Sequence, residues 1–238
     1  MPKQSAPERC GRARVKWRRN RRAWEDWGKV DPLWAVLTEP GRRGGRWDLG
    51  EFLASGKDVV DGIWSRGAAF GVPAGTATGL DFGCGAGRLT RAMARHVTTV
   101  TGVDIAESMI AQARRLNADL PSCSFATHRA EDLRAFGDRT FDVVMSLLVL
   151  QHLPSVQLIE TYLAEFVRVL APGGLLAVQL PTFVPPPAPP TLRSRSGSVP
   201  ARELRCDGWE SAHGGCTGAR HGPPRCRWSQ SRMSRSCR

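Results

Sequence analysis

Residues 79–88 read Gly-Leu-Asp-Phe-Gly-Cys-Gly-Ala-Gly-Arg (GLDFGCGAGR), a short apolar run that carries the acid Asp81, followed by Gly83, Gly85 and Gly87. Glycines at alternate positions let a backbone turn sharply and approach a ligand with no Cβ in the way. Leu89, Ala92, Met93, His96 and Val97 then recur at helical spacing, so the stretch reads as strand, turn and helix. Working outward, short apolar runs keep alternating with helical stretches, the pattern of repeated βαβ units. The spacing predicts strands at 79–83, 99–104, 123–127, 141–147 and 174–180. Met109, Ala113 and Leu116 form a second helical face. Ile159, Tyr162, Leu163, Phe166, Val167 and Leu170 form a third, which stops at Ala171-Pro172-Gly173-Gly174.

A glycine-rich turn alone does not choose its ligand, since a dinucleotide fold uses one too. The pyrophosphate fingerprint wants a third glycine three places after the second, and Arg88 stands there. Asp81 would also repel a pyrophosphate, whereas a carboxylate suits the ammonium of an amino-acid moiety through charge-assisted hydrogen bonds. The loop therefore fits a cationic sulfonium cofactor better, and a nicotinamide dehydrogenase is disfavoured.

The loop resembles the first motif of class I S-adenosylmethionine-dependent methyltransferases, and later segments resemble that family's motifs in order. VTGVDIAESM (100–109) resembles the second, FATHRAEDL (125–133) the third, FDVVMSLLVLQHL (141–153) the fourth and FVRVLAPGGLLAVQLP (166–181) the fifth. The opening segment from Trp24 to Gly56 resembles the leader of bacterial proteins with a type 11 methyltransferase domain. The resemblance implies S-adenosyl-L-methionine as cofactor, met by Asp81, Gly83, Cys84, Gly85, Gly87 and Arg88 in the first motif. Asp104 would accept both ribose hydroxyls, with Ile105 and Met109 as apolar contacts to adenine. In the third motif His128 and Arg129 stand where Asp or Asn is common, so Ala130, Glu131 and Asp132 share the adenine-edge assignment. Ser146 at the fourth strand completes the cofactor set. The fold implied is a Rossmann-like three-layer α/β sandwich, five parallel strands in order 3-2-1-4-5, with the cofactor at their carboxyl ends.

No catalytic residue is fixed by the pattern. His152, just past the fourth strand, is the candidate for a general base or substrate contact, weighed against a turn-capping role. Trp24, Trp27, Trp34, Trp47 and Trp64 read as packing rather than as a substrate pocket. Cys206, Cys216, Cys226 and Cys237 lack the close pairs that preform a zinc site, so no metal is expected.

The formal charge of +12 is concentrated at the ends. Residues 1–23 carry nine Lys and Arg against one acid, residues 183–238 ten Arg against three acids, and the middle is mildly acidic. This argues against a basic groove within the fold, so a nucleic-acid partner is disfavoured. The divisions expected are a basic disordered leader (1–23), a helical cap acting as a lid (24–70), the cofactor-binding domain (71–182) and a disordered Pro/Arg-rich tail (183–238). Within the cap, Asp48 and Glu51 resemble a capping pair for a helix from 48 to about 66. The family fold adds two strands after the fifth, yet strand patterning stops at Pro181. The abrupt change to Pro, Arg, Ser and Cys is what an altered reading frame in a GC-rich gene gives. With no apolar run near the roughly 20 residues of a membrane helix, a cytoplasmic location is expected. The activity expected is methyl transfer to a small molecule, with a non-catalytic cofactor-binding protein and a nucleic-acid methyltransferase as rivals.

Overall fold

Five parallel strands form one sheet: β1 (Thr78–Phe82), β2 (Thr99–Asp104), β3 (Cys123–Thr127), β4 (Phe141–Ser146) and β5 (Leu170–Val178), in spatial order β3-β2-β1-β4-β5. This is the architecture and order expected. A computed structural model describes residues 6–68 and 77–180, with side chains from Trp17 onward. The tail from 183, its cysteines and most of the 71–78 linker lie outside the described residues.

Helices cover both faces, which is why the strands read as continuous apolar runs rather than as alternation. On one face Leu80, Phe82 and Val144 pack with Tyr162 and Phe166 of α6 (Val156–Val169). On the other, Val143 and Met145 pack with Met93 of α4 (Arg88–Met93) and Val60 of α3 (Leu49–Gly67). Val143, Val144 and Met145 thus point to alternate faces, the period of two that a strand imposes. The second predicted helical face is α5 (Glu107–Leu116), which buries Met109, Ile110 and Ala113.

Local signals set the helix starts. Asp48 accepts the N–H of Glu51 at 2.9 Å and opens α3, as its spacing predicts. Ser155 does the same for α6 through Leu158 N at 3.2 Å. Asp31 caps the five-residue α2 (Pro32–Val36), with Pro32 in the first turn where its missing N–H costs nothing.

Three expectations need correction. The leader is not disordered through residue 23: α1 runs unbroken from Ala6 to Val30. The fifth strand begins at Leu170 rather than 174, because α6 stops at Val169 and the chain pairs with Phe141 at once, with a register shift before Val143. The third helical face is rotated slightly, so that Val167 is 64% exposed and Leu158 and Val169 are buried in its place.

Candidate functional site

Parallel register gathers the strand ends. Asp81 of β1 lies opposite Gly102 of β2 and Met145 of β4, so Asp104 and Ser146 follow within two residues on either side. The chain leaves β1 through the predicted turn, where the N–H groups of Gly83 and Cys84 both donate to Val103 O, at 2.8 and 2.9 Å. Gly83, Gly85 and Gly87 all have positive φ (+78°, +52° and +81°), a conformation that side chains disfavour.

A different element closes on each glycine. A Cβ at Gly83 would strike Val149 beyond β4, and one at Gly85 would strike Val36 of α2. At Gly87 it would lie 2.5 Å from Asn117 Nδ2 and 3.0 Å from the Phe125 ring.

The two acids have distinct settings. Asp104 accepts Gly85 N–H on Oδ2 and Ala106 N–H on Oδ1, both at 2.9 Å, and so ties the turn to the start of α5. Burial raises its pKa against the lowering effect of those N–H bonds. Asp81 is 1% exposed and accepts Thr90 Oγ–H at 2.6 Å. Burial pushes its pKa up to about 6, opposed by the Thr90 bond and the charge of Arg88. A buried acid of this kind is a poor structural element alone and a good receptor for a cation. Near it, Ser146 Oγ is buried without a hydrogen-bond partner among the described residues. The donor set fits a zwitterionic, ribose-bearing cofactor.

Comparison with known proteins agrees. Residues 80–178 match the family described as a methyltransferase domain. Those residues are a methyltransferase domain of the class I, S-adenosylmethionine-dependent family. Among similar sequences, the 2-methyl-6-phytyl-1,4-hydroquinone methyltransferase of Synechocystis is 31% identical over 156 residues, which is 65% of this chain and 48% of that protein. A ubiquinone biosynthesis O-methyltransferase of Rhizobium leguminosarum is 39% identical over 100 residues, 42% of this chain and 38% of the relative. The chain spans less than half the length of these relatives. Phosphoethanolamine N-methyltransferase 1 of Haemonchus contortus, solved with phosphoethanolamine and S-adenosylhomocysteine, superposes with a TM-score of 0.53. It is 20% identical, the match covers 67% of this chain and 31% of that one, and the likeness is one of fold.

Elsewhere in the methyltransferase domain the predicted residues divide. Cys84 is buried beside the turn, and burial pushes its thiol pKa well above the usual range. Met109 is fully buried at the base of α5, whereas Ile105 is only partly so. The 128–132 segment is held from behind: Tyr162 Oη–H donates to Ala130 O, and His128 Nε2 bonds Asp132 O, both at 2.6 Å. Glu131 is exposed, and the Asp132 carboxylate accepts Arg134 N–H at 3.2 Å. Arg88 directs its guanidinium to α3, where it donates to Ser55 Oγ at 3.2 Å and lies over Phe52. The close packing that a glycine in place of Arg88 would give comes instead from Gly56 of α3, whose Cβ would sit 2.7 Å from Arg88 O.

His152 sits in a 3-10 turn (Leu150–His152), its ring edge-on to Trp24 with centroids 5.0 Å apart. Burial lowers its pKa. The remaining tryptophans of the set pack as expected, Trp27 on Trp34, Trp47 on Phe52 and Trp64 on His96. Sequence reading put Tyr162 on a helical core face but did not tie it, Thr90 or Val36 to the site. A hydroxyl on the otherwise apolar inner side of α4 was the signal for Thr90, but nothing local marks Val36.

Proposed function

We propose that this chain binds S-adenosyl-L-methionine across Asp81 and Asp104 and methylates a small hydroxylated ring of the quinol class. The observation that carries the reading is the pair of strand-end acids joined by the glycine turn. Asp81 would hold the cofactor's ammonium and Asp104 its ribose hydroxyls, its oxygens keeping lone pairs beyond those used by Gly85 and Ala106. Ile105 and Met109 would flank adenine, the 130–132 segment would meet its edge, and Ser146 would supply a further polar contact. Bound, the cofactor supplies an electrophilic methyl group.

The chain's own work is alignment and exclusion of water, for which α1 and α2 lie over the turn and the strand ends. His152 would accept the proton that the acceptor hydroxyl loses, since burial beside Trp24 keeps its ring neutral. The acceptor class is carried over from the hydroquinone and ubiquinone relatives. A small-molecule acceptor is preferred to nucleic acid on the same ground.

Calorimetry with S-adenosylmethionine, followed by transfer of labelled methyl to a soluble short-chain hydroquinone, tests both halves. Asp104→Asn should weaken cofactor binding by one to two decades, because a hydrogen bond to a charged group is worth about 1.5–3 kcal/mol. Parental affinity in a folded Asp104→Asn variant would remove the ribose assignment. Failure of His152→Ala to lower turnover at unchanged cofactor affinity would remove the proton acceptor.

A further inference from the structure

The inner side of α1 is fixed by contacts along its length. Trp17 Nε1–H donates to Arg129 O at 3.4 Å, Asn20 Nδ2–H donates to His152 O at 2.7 Å, and Gly28 backs onto Ser108. That helical spacing turns Arg18, Arg19 and Arg22 to the opposite side, where all three are exposed. Among the described residues none of them forms an ion pair. Asp26 is the one acid on that side, and Lys29 is held by Glu25 at 3.2 Å. The helix therefore lays an unneutralised arginine face over the end of a mildly acidic domain, directly outside the turn that carries His152.

What this face fits follows from its neighbours. Val30, which ends the helix, is 76% exposed, and with the exposed Leu49 it lines one shallow cleft. A basic helix face that ends two turns on in an exposed aliphatic residue suits the boundary between lipid headgroups and acyl chains. Single-stranded nucleic acid needs aromatic platforms as well as charge, and Trp24 and Trp27 are committed to His152 and Trp34. We infer that the outer face of α1 docks on an anionic lipid bilayer and holds the acceptor side of the site toward it. The inference rests on the proposed quinol acceptor, whose apolar relatives would be drawn from such a bilayer.

Flotation of the full chain with phosphatidylcholine vesicles, with and without phosphatidylglycerol, tests it at physiological salt. The parent should float only with the anionic vesicles. Arg18→Gln/Arg19→Gln/Arg22→Gln should lower partitioning about a hundredfold, since each basic residue at such a surface is worth roughly fivefold. Arg193→Gln/Arg195→Gln/Arg205→Gln removes the same charge elsewhere and should leave partitioning near the parental value. An equal loss in both variants would mean that only net charge is read, and would overturn the docking surface. So would equal binding to neutral vesicles, or arginine-dependent binding to a mixed-sequence RNA without flotation. Turnover of a soluble short-chain hydroquinone, measured on the same samples, should be the same in parent and α1 variant. Its absence with flotation intact would discard the quinol acceptor and leave the surface standing.

Discussion

Asp81 pays for its position in the unliganded protein. Its pKa of about 6 in the fold stands above the 3.8 of an unburied Asp, so between those values the folded chain holds the proton more tightly than the unfolded one. Stability therefore falls as pH rises through that window and stays low above it, by about 3 kcal/mol at most. Asp81→Asn should raise the melting temperature of the cofactor-free protein at pH 7 and flatten its dependence on pH from 4 to 6. On the proposed assignment of Asp81 to the cofactor's ammonium, the same variant should bind S-adenosylmethionine more weakly, because that ammonium would lose its counter-charge. In the parent, affinity should drop by about tenfold per unit as pH falls below 6, where Asp81 must first be deprotonated. An affinity that stays flat from pH 7 to 5 would show that Asp81 is not the ammonium receptor. Asp81 and Asp104 were legible in the sequence because each ends an apolar run beside a turn. Thr90 carried only the signal of a hydroxyl on the apolar side of α4, and its bond to Asp81 spans a turn whose geometry no local pattern reports.

At the level of elements, the turn and α2 form a single joint. Gly85 needs its bare backbone for two separable reasons, a φ of +52° and the packing of Val36 against it. Gly85→Ala should lower stability by about 1–3 kcal/mol through strained dihedrals and the collision together. Adding Val36→Ala should recover the collision part and leave the backbone part. Equal melting temperatures for the single and double variants would show that α2 does not sit on the turn in solution. Asp31 sets this joint from the other end, its carboxylate accepting the N–H groups of Gly44 at 2.6 Å and Gly45 at 3.1 Å. Strand and helix positions were legible because hydrophobic period is a local property. The start of β5 was not, because Ala171-Pro172-Gly173-Gly174 carries stop signals and its pairing with Phe141 is decided across the sheet.

For the whole molecule, the question is how the N-terminal segment is joined to the domain. Composition alone reads residues 1–23 as a solvated leader, since they are too polar to bury a core of their own. The described part of α1 is held by another means, through Trp17 and Asn20, two turns and one turn before the Trp24 that contacts His152. Such contacts between distant segments leave no period in a sequence this basic. The joint is tightest at Gly28, where a Cβ would collide with Ser108 Oγ and lie 3.1 Å from Met109 N, while Ser108 Oγ–H donates to Glu25 O at 2.9 Å. Gly28→Leu should therefore lift α1 from α5 while the sheet stays folded, because the strands bury their core chiefly against α3, α4 and α6, with Trp17 of α1 only partly buried at its margin. Amide exchange should stay slow in β1, β2 and β4 and become fast near Ser108, and tryptophan fluorescence should shift toward that of exposed indole as Trp24 leaves His152. Methyl transfer should fall by more than cofactor affinity does, since the helix covers the proposed acceptor side beside His152 while the proposed cofactor acids Asp81 and Asp104 remain in place. Unchanged turnover with accelerated exchange at Ser108 would show that the helix is a passenger on the domain and that closure of the site lies elsewhere.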